Sequence, residues 1–455
     1  MQKESKQTPL YAWHVAQGAN MVNFGEYEMP LWYRSGAKNE HLAVLTKAGL
    51  FDTSHMAVVM VEGPDAFKLI QFCFTRDLNA CVGRNRTHIV SGKCVYGVFL
   101  NQRGELIDDA LVYLLENNLF MIVVNADMGG EIAQQLKDHA EEKDVVKITD
   151  LTDKVGKIDL QGPLAGVILK EVIKNAETVL EDMHYFSFKG HFDKNSSIAD
   201  TVRFTDNTPA LLSRTGYTGE FGFEIFVEPD RLVRIWNMVL EAGRNFGLIP
   251  CGLAARDSLR AGAALPLSRV DTGPWPFLNH PWMFVLPYNE GMTGFTKHFI
   301  GDEALMRIDN AEYTCAFAGF DLRKVNHDTA VVLDQKGNAI GKVLTCVTDM
   351  GIGRYNNRIY SISSPDKPED FEPRGLACGF IKVKTELISG QIVELKDGKR
   401  KIEVMIVDDI RPDRTARRPI KKMMRMPGQD NDRSLKGSKS FIPNHTFRDG
   451  KIYNT

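Results

Sequence analysis

The chain of 455 residues has little of what marks several large protein classes. It contains no run of about 18 apolar residues of the kind that spans a bilayer, so no membrane partner is expected. Its first stretch, MQKESKQTPLYAWHV, has no apolar signal core, and the expected location is cytoplasmic. Charge of either sign is not in excess: 56 Lys and Arg stand against 58 Asp and Glu, a formal net charge of −2. Binding through phosphate neutralisation leaves a basic surplus, so no nucleic-acid partner is expected. The seven cysteines are scattered without a C-x-x-C pair. That argues against a zinc site or a disulfide framework and leaves buried free thiols, with no metal expected. The motifs G-x-x-x-x-G-K-[ST], H-E-x-x-H and G-x-S-x-G are missing as well. GIGRYN, from Gly351, is only a fragment of a dinucleotide fingerprint, with no helix expected after it.

What is present reads as a globular protein of two to four structural units, with 43% hydrophobic and 25% charged residues. Strand-like and helical stretches mix without a regular β-α-β rhythm, which predicts an α+β fold. GPDAFKLIQFCF from Gly63 reads as a helix. The stretch from about Val95 to Leu115 reads as a β-hairpin around an Asn-Gln-Arg-Gly turn. DRLVRIWNMVLEAGRNFG is an amphipathic helix with Asp230 at its N-cap. CGLAARDSLRAGAAL reads as a second helix. TAVVLDQKGNAIGKVL and GQIVELKDGKRKIEVMIV are hairpin patterns and predict a separate, mostly β domain over 312–420. Beyond Pro419 the periodicity is lost, and 421–455 reads as a basic, polar tail.

Two stretches raise chemical questions. In SRTGYTGEFGFEIFV, Gly216, Gly219 and Gly222 stand three apart around Tyr217 and lead into a strand pattern. Glycines so placed mark a sharp turn or a close approach to backbone. Phe223, Ile225 and Val227 fall on one face and Gly222, Glu224 and Phe226 on the other. Glu224 is therefore either solvated on a half-exposed strand or directed into a site. In ELIDDALVYLL two aspartates interrupt an apolar strand, although aspartate is depleted in strands. Asp108 shares its face with Leu106, Ala110, Val112 and Leu114, and Asp109 shares its own with Ile107, Leu111 and Tyr113. With both faces apolar, at least one carboxylate needs a hydrogen-bond partner or a shifted pKa, unless the pair lies solvated beside the turn. His55, in FDTSHMAV, reads as a lone structural histidine.

Taken in order, MPLWY, AGLFDTSHMAVVMVEG, GELIDDALVY with FMIVVNA, LQGPLA, SRTGYTGEFGFEI, CGLAARDSLR and FIGDEAL cover roughly residues 8–305. Together they resemble the tetrahydrofolate-dependent aminomethyltransferases: the T-protein of the glycine cleavage system and related folate-dependent demethylases. The resemblance implies a three-domain, ring-like architecture with folate in a central channel. It places a first folate-binding domain at 1–55 and 150–235, and a ferredoxin-like second domain at 56–149 and 236–305. A β-barrel-like C-terminal domain at 312–420 and the tail complete the layout. It further implies that Glu224 hydrogen-bonds the guanidine-like edge of the pterin, which suits a carboxylate's two oxygens. The glycine turn would let backbone approach the pterin, and Tyr217 would line the same pocket. Asp108 matches the key acid near folate N5 and N10, and Asn125 matches a folate contact. Tyr96 and Met56 match pocket walls. Arg256 matches a residue near the folate, or is a helix-surface charge beside Asp257.

The reaction implied is transfer of an aminomethyl group, delivered as a thioether on the lipoyl arm of a carrier protein. The products would be 5,10-methylenetetrahydrofolate and ammonia. The chain departs from that pattern after CGLAARDSLR, where an acidic, leucine-rich run gives way to AGAALPLSRVDTGPWPFLNHPWMFVLPYNEG. Trp275, Phe277 and Trp282 in this segment could form a cation–π cage for a methylated ammonium or sulfonium donor. The alternative reaction is then demethylation of a small ammonium, sulfonium or ether donor to give 5-methyltetrahydrofolate. The same aromatics could equally pack a loop between domains. A second alternative, a non-catalytic folate-binding protein, is weakened by the absence of the Lys-Gly-Cys-Tyr-x-Gly-Gln-Glu motif of such relatives.

Overall fold

The computed structural model describes residues 5–83 and 85–424, together with the backbone of two short strands, Thr446–Arg448 and Lys451–Tyr453. The rest of the basic tail lies outside the described residues. Three β-structures organise the chain, and each follows from alternating apolar residues that need a covered face.

The first is a six-stranded mixed sheet whose central strands are Gly222–Val227, Gly156–Gln161 and Gly49–Asp52. Phe223, Ile225 and Val227 join Ile158 and Leu160 in a core closed by the Pro229–Gly243 helix. That helix contributes Leu232, Ile235, Trp236 and Val239 at helical spacing. Its cap differs from the expectation: Glu228 is the N-cap, Pro229 opens the helix, and Asp230 lies in the first turn. A proline at that position loses no hydrogen bond and has its φ already set. The opposite sheet face carries Lys157, Asp159 and Gln161, with Glu224 directly across from Asp159.

The second is a five-stranded antiparallel sheet containing the hairpin Lys93–Leu100 and Leu106–Glu116, paired in turn with Leu119–Val124 and Ala57–Glu62. Helices Ala66–Cys73 and Gly129–Asp138 cover one face. The third is a closed barrel of six strands between Tyr313 and Ile406. Both hairpin patterns read from the sequence pair within it, Val331–Leu333 with Ala339–Asp349 and Ile392–Asp397 with Arg400–Ile406.

The aromatic segment after residue 272 is wedged between the hairpin and the barrel. Phe277, Trp282, Val285 and Leu286 share a core with Val98, Leu106, Leu344 and Phe380. The chain just beyond Pro419 is not aperiodic as expected: Ile420–Met423 is a helical turn, and Ile420 and Met423 are buried in the first core. Among the described residues no helix is long and apolar enough to cross a membrane.

Candidate active site

The two sheets, the aromatic segment and the barrel line a common cavity of about 3620 Å³. One wall is the charged face of the six-stranded sheet. Lys157, 1% exposed, donates from Nζ to Asp159 Oδ1 at 2.7 Å and to Glu224 Oε1 at 2.5 Å. Thr215 Oγ1 donates to the other oxygen of Glu224. Arg256, on the Leu253–Gly262 helix, donates to Asp159 Oδ2 at 2.7 Å, and its guanidinium lies 4.9 Å from the centroid of the Tyr217 ring. Tyr217 is itself fixed by donating its hydroxyl to the Pro266 carbonyl. Burial alone would raise the Asp159 carboxyl, but the adjacent ammonium and guanidinium outweigh it and hold the group down at about 2. Two cations thus balance two anions in a buried cluster, the condition under which buried charge is tolerated.

The second wall carries the aspartate pair. Asp108 is fully buried: its oxygens accept from the backbone N–H of Asn125 at 2.9 Å, Asn125 Nδ2 at 2.8 Å and Ser268 Oγ at 2.7 Å. Asp109 accepts from the Tyr96 hydroxyl at 2.8 Å and from the same Asn125 Nδ2 at 2.6 Å. Burial, reinforced by the charge of Asp109, pushes the Asp108 carboxyl up to about 7 despite the bonds from Ser268 and Asn125. Burial raises Asp109 too, against the bond from Tyr96. Among the described residues no cation bonds to either acid, in contrast to the first wall.

The resemblance pointed to Asp108, but the cavity wall is formed by Asp109, and Asp108 stands behind it. Adjacent strand residues point to opposite faces, and here the face of Asp108 is the closed one. Glu224, Tyr217, Asn125, Tyr96, Met56 and Arg256 all line the cavity. The donor cage is not formed. Phe277 is buried against His280, with ring centroids 4.1 Å apart, and lies away from the cavity wall. Trp275 also lies off the wall, and Lys382 Nζ already sits 3.9 Å from its ring centroid. Only Trp282 of the three lines the cavity, with its indole N–H bonded to the Ala264 carbonyl and its edge against Phe380. Phe277 and Trp282 are buried in the core between hairpin and barrel, and Trp275 packs against it.

The glycines of the turn answer to the protein's own packing. A side chain at Gly216 would strike Gln161, and one at Gly222 would lie 2.6 Å from the Leu160 carbonyl. Three participants escaped the sequence reading. Lys157 and Asp159 had a usable signal, charges at period two inside the wholly buried strand GKIDLQ. His55 had none. It lines the cavity, and burial followed by the charge of Arg256 pushes its imidazole down to about 4, so it is neutral at ordinary pH. Its Nδ1 is buried without a hydrogen-bond partner among the described residues.

A family model for the GCVT N-terminal domain matches residues 10–274. An aminomethyltransferase of Clostridium botulinum is 34% identical over 351 residues, spanning 75% of this chain and 85% of the relative. One from Bacillus pumilus is 38% identical over 262 residues, spanning 58% and 65%. The glycine cleavage system aminomethyltransferase T of Bartonella henselae has a similar fold. Its crystal structure matches with a TM-score of 0.69 over 88% of this chain and 96% of that one, at 24% identity. The chain belongs to the folate-dependent aminomethyltransferase family.

Proposed function

We propose that this chain transfers a one-carbon unit to N5 of tetrahydrofolate as an aminomethyltransferase, yielding 5,10-methylenetetrahydrofolate and ammonia. The observation that carries the reading is the pairing, on one cavity, of a lysine-anchored glutamate with an uncompensated pair of acids. Asp109 and Tyr113 share a strand face about 13 Å apart. The Tyr113 hydroxyl meets Ser213, the cross-strand neighbour of Glu224. The two acidic centres are therefore separated along the cavity.

The residues fit a reduced pterin. A carboxylate has about four acceptor positions. Lys157 and Thr215 occupy two on Glu224, leaving others for the two N–H groups of a guanidine-like edge. Tyr217, backed by Arg256, offers an aromatic wall, and Met56 an apolar one. His55, whose buried Nδ1 has no hydrogen-bond partner among the described residues, stands beside them on the cavity.

When bound, tetrahydrofolate supplies two amine nitrogens able to accept a one-carbon unit. The rest is the work of this chain. Glu224 and Tyr217 orient the acceptor. Asp109 lies on the wall where an anion stabilises positive charge developing at the donor amine. Asp108, held by Ser268 and Asn125, keeps a proton near neutral pH, and the pair titrates as one unit in which Asp109 can exchange it with the departing ammonia. The cavity far exceeds the roughly 300–1,000 Å³ of a single small-ligand site. That room suits a second reactant, the aminomethyl-bearing lipoyl arm of a carrier protein.

Mass spectrometry of the folate product tests this reading. Tetrahydrofolate with aminomethyl-loaded carrier protein is expected to give 5,10-methylenetetrahydrofolate and ammonia. Formation of 5-methyltetrahydrofolate from a methylated ammonium, sulfonium or ether compound, with no product from the carrier, would overturn it.

A further inference from the structure

The stretch that leaves the barrel, 407–418, crosses over the glycine turn bearing Tyr217 and takes no part in the chemistry described above. Its Arg411 is 1% exposed. The guanidinium donates to Asp349 Oδ2 at 2.5 Å, to the Thr218 carbonyl and to the Leu259 carbonyl at 3.3 Å, and it lies 3.2 Å from Glu220 Oε1. One side chain thereby joins the end of a barrel strand, the glycine turn and the helix that carries Arg256. Thr415 makes a second tie. Its hydroxyl donates to Glu220 Oε2 at 2.5 Å and accepts from the Phe221 N–H at 2.8 Å, while the Ala416 N–H reaches the Gly219 carbonyl at 3.1 Å.

Glycine stands where these segments come closest. Gly219 has φ +75°, and a side chain there would lie 2.6 Å from Ala263 and 3.1 Å from Arg411 Nη2. A side chain at Gly262 would strike Asp349. Apolar residues can hold a fold together as well as a buried ion cluster does. A guanidinium fork instead fixes several acceptors in set directions. Here two of the acceptors, the Thr218 carbonyl and the Glu220 carboxylate, lie between Tyr217 and Glu224, the two groups assigned to the pterin.

We propose that Arg411 and Thr415 are positioning residues of the folate site: the barrel's exit strap sets the turn that presents Tyr217 and Glu224 to the cavity, and so governs folate affinity. This inference rests on the folate reading given above.

Thr415→Val tests it, since valine keeps the volume and removes the hydroxyl. The readouts are the Kd for tetrahydrofolate by anaerobic calorimetric titration, kcat and folate KM, and the thermal midpoint. Kd and KM are expected to rise about tenfold, the scale of one buried hydrogen bond to a charged group, with kcat at saturating folate within about twofold. Val393→Ala, in the barrel core away from the strap, is expected to lower the midpoint without altering folate affinity. Arg411→Lys keeps the charge and loses the fork, and is expected to act in the same direction as Thr415→Val; should it fail to fold, Thr415→Val decides alone. A folded Thr415→Val protein with wild-type affinity would overturn the proposal. So would a Val393→Ala protein that loses as much affinity as Thr415→Val. If the wild-type chain binds no tetrahydrofolate, the folate reading falls first and this inference with it.

Discussion

Two groups of buried acids share one cavity and behave in opposite ways. Asp159 is as dehydrated as Asp108, yet its carboxyl lies at about 2 while that of Asp108 lies at about 7. The difference is the company each keeps. Asp159 and Glu224 share the Lys157 ammonium, with Arg256 completing the cluster. Among the described residues Asp108 and Asp109 receive neutral donors only, from Asn125, Ser268 and Tyr96, and repel each other. Burial works to raise both Asp159 and Asp108, and whether a cation answers it decides the outcome. The first cluster is a fixed, charge-balanced group, suited to holding a ligand edge. The second holds a proton that can move near neutral pH, which is what acid–base work needs.

Removing the cation is the severest way to break that contrast. Lys157→Met leaves Asp159 and Glu224 with one fewer counter-charge in a closed site, so a loss of about 3–5 kcal/mol is expected, read from urea unfolding. Retained stability would show that the cluster is not held together by Lys157. Next in size is the division of labour within the pair. Asp109→Asn is expected to lower kcat about 100-fold, near 2.7 kcal/mol, while Asp108→Asn lowers it about tenfold, folate affinity being kept in both. The reverse order would return the catalytic role to Asp108.

A pH series sharpens the comparison further. An acid raised from 3.8 to about 7 keeps its proton in the folded chain after the unfolded chain has released it. Its contribution to stability therefore falls as pH rises through that interval. Asp159 acts the other way: its contribution is present above 3.8 and is lost as pH falls toward about 2. Between about pH 5 and about pH 7.5 the wild-type protein should lose stability relative to Asp108→Asn. Parallel unfolding curves would deny the raised pKa. The smallest effects belong to the aromatic segment. Trp282→Leu should cost about 2 kcal/mol and Trp275→Leu less, with donor affinity unchanged in each. Weakened donor binding by a stable Trp275→Leu protein would reinstate the cage.

Much of the fold was legible in particular residues. Phe223, Ile225 and Val227 announce one buried face, and the turn at Asn101–Gly104 announces the hairpin, because alternation and turn chemistry are local. The aspartate pair was legible as an anomaly and no further. Both faces of the Leu106–Glu116 strand are apolar and mostly covered, so alternation offers no way to tell which acid meets the cavity. The aromatic segment left two readings open for a related reason, since a cage and a core draw on the same residues.

By itself, then, the sequence determined the family, the strand and helix pattern, and the presence of acids where acids are costly. Those follow from periodicity, from residue order and from the depletion of charge in apolar strands. Only the tertiary structure decided that Lys157 anchors Glu224, that Asp109 rather than Asp108 lines the cavity, and that Arg411 reaches the glycine turn from 193 residues away. Each of these is a contact between segments distant in the chain. The sign of a buried charge's pKa shift is set by such neighbours in space, and no local pattern carries them.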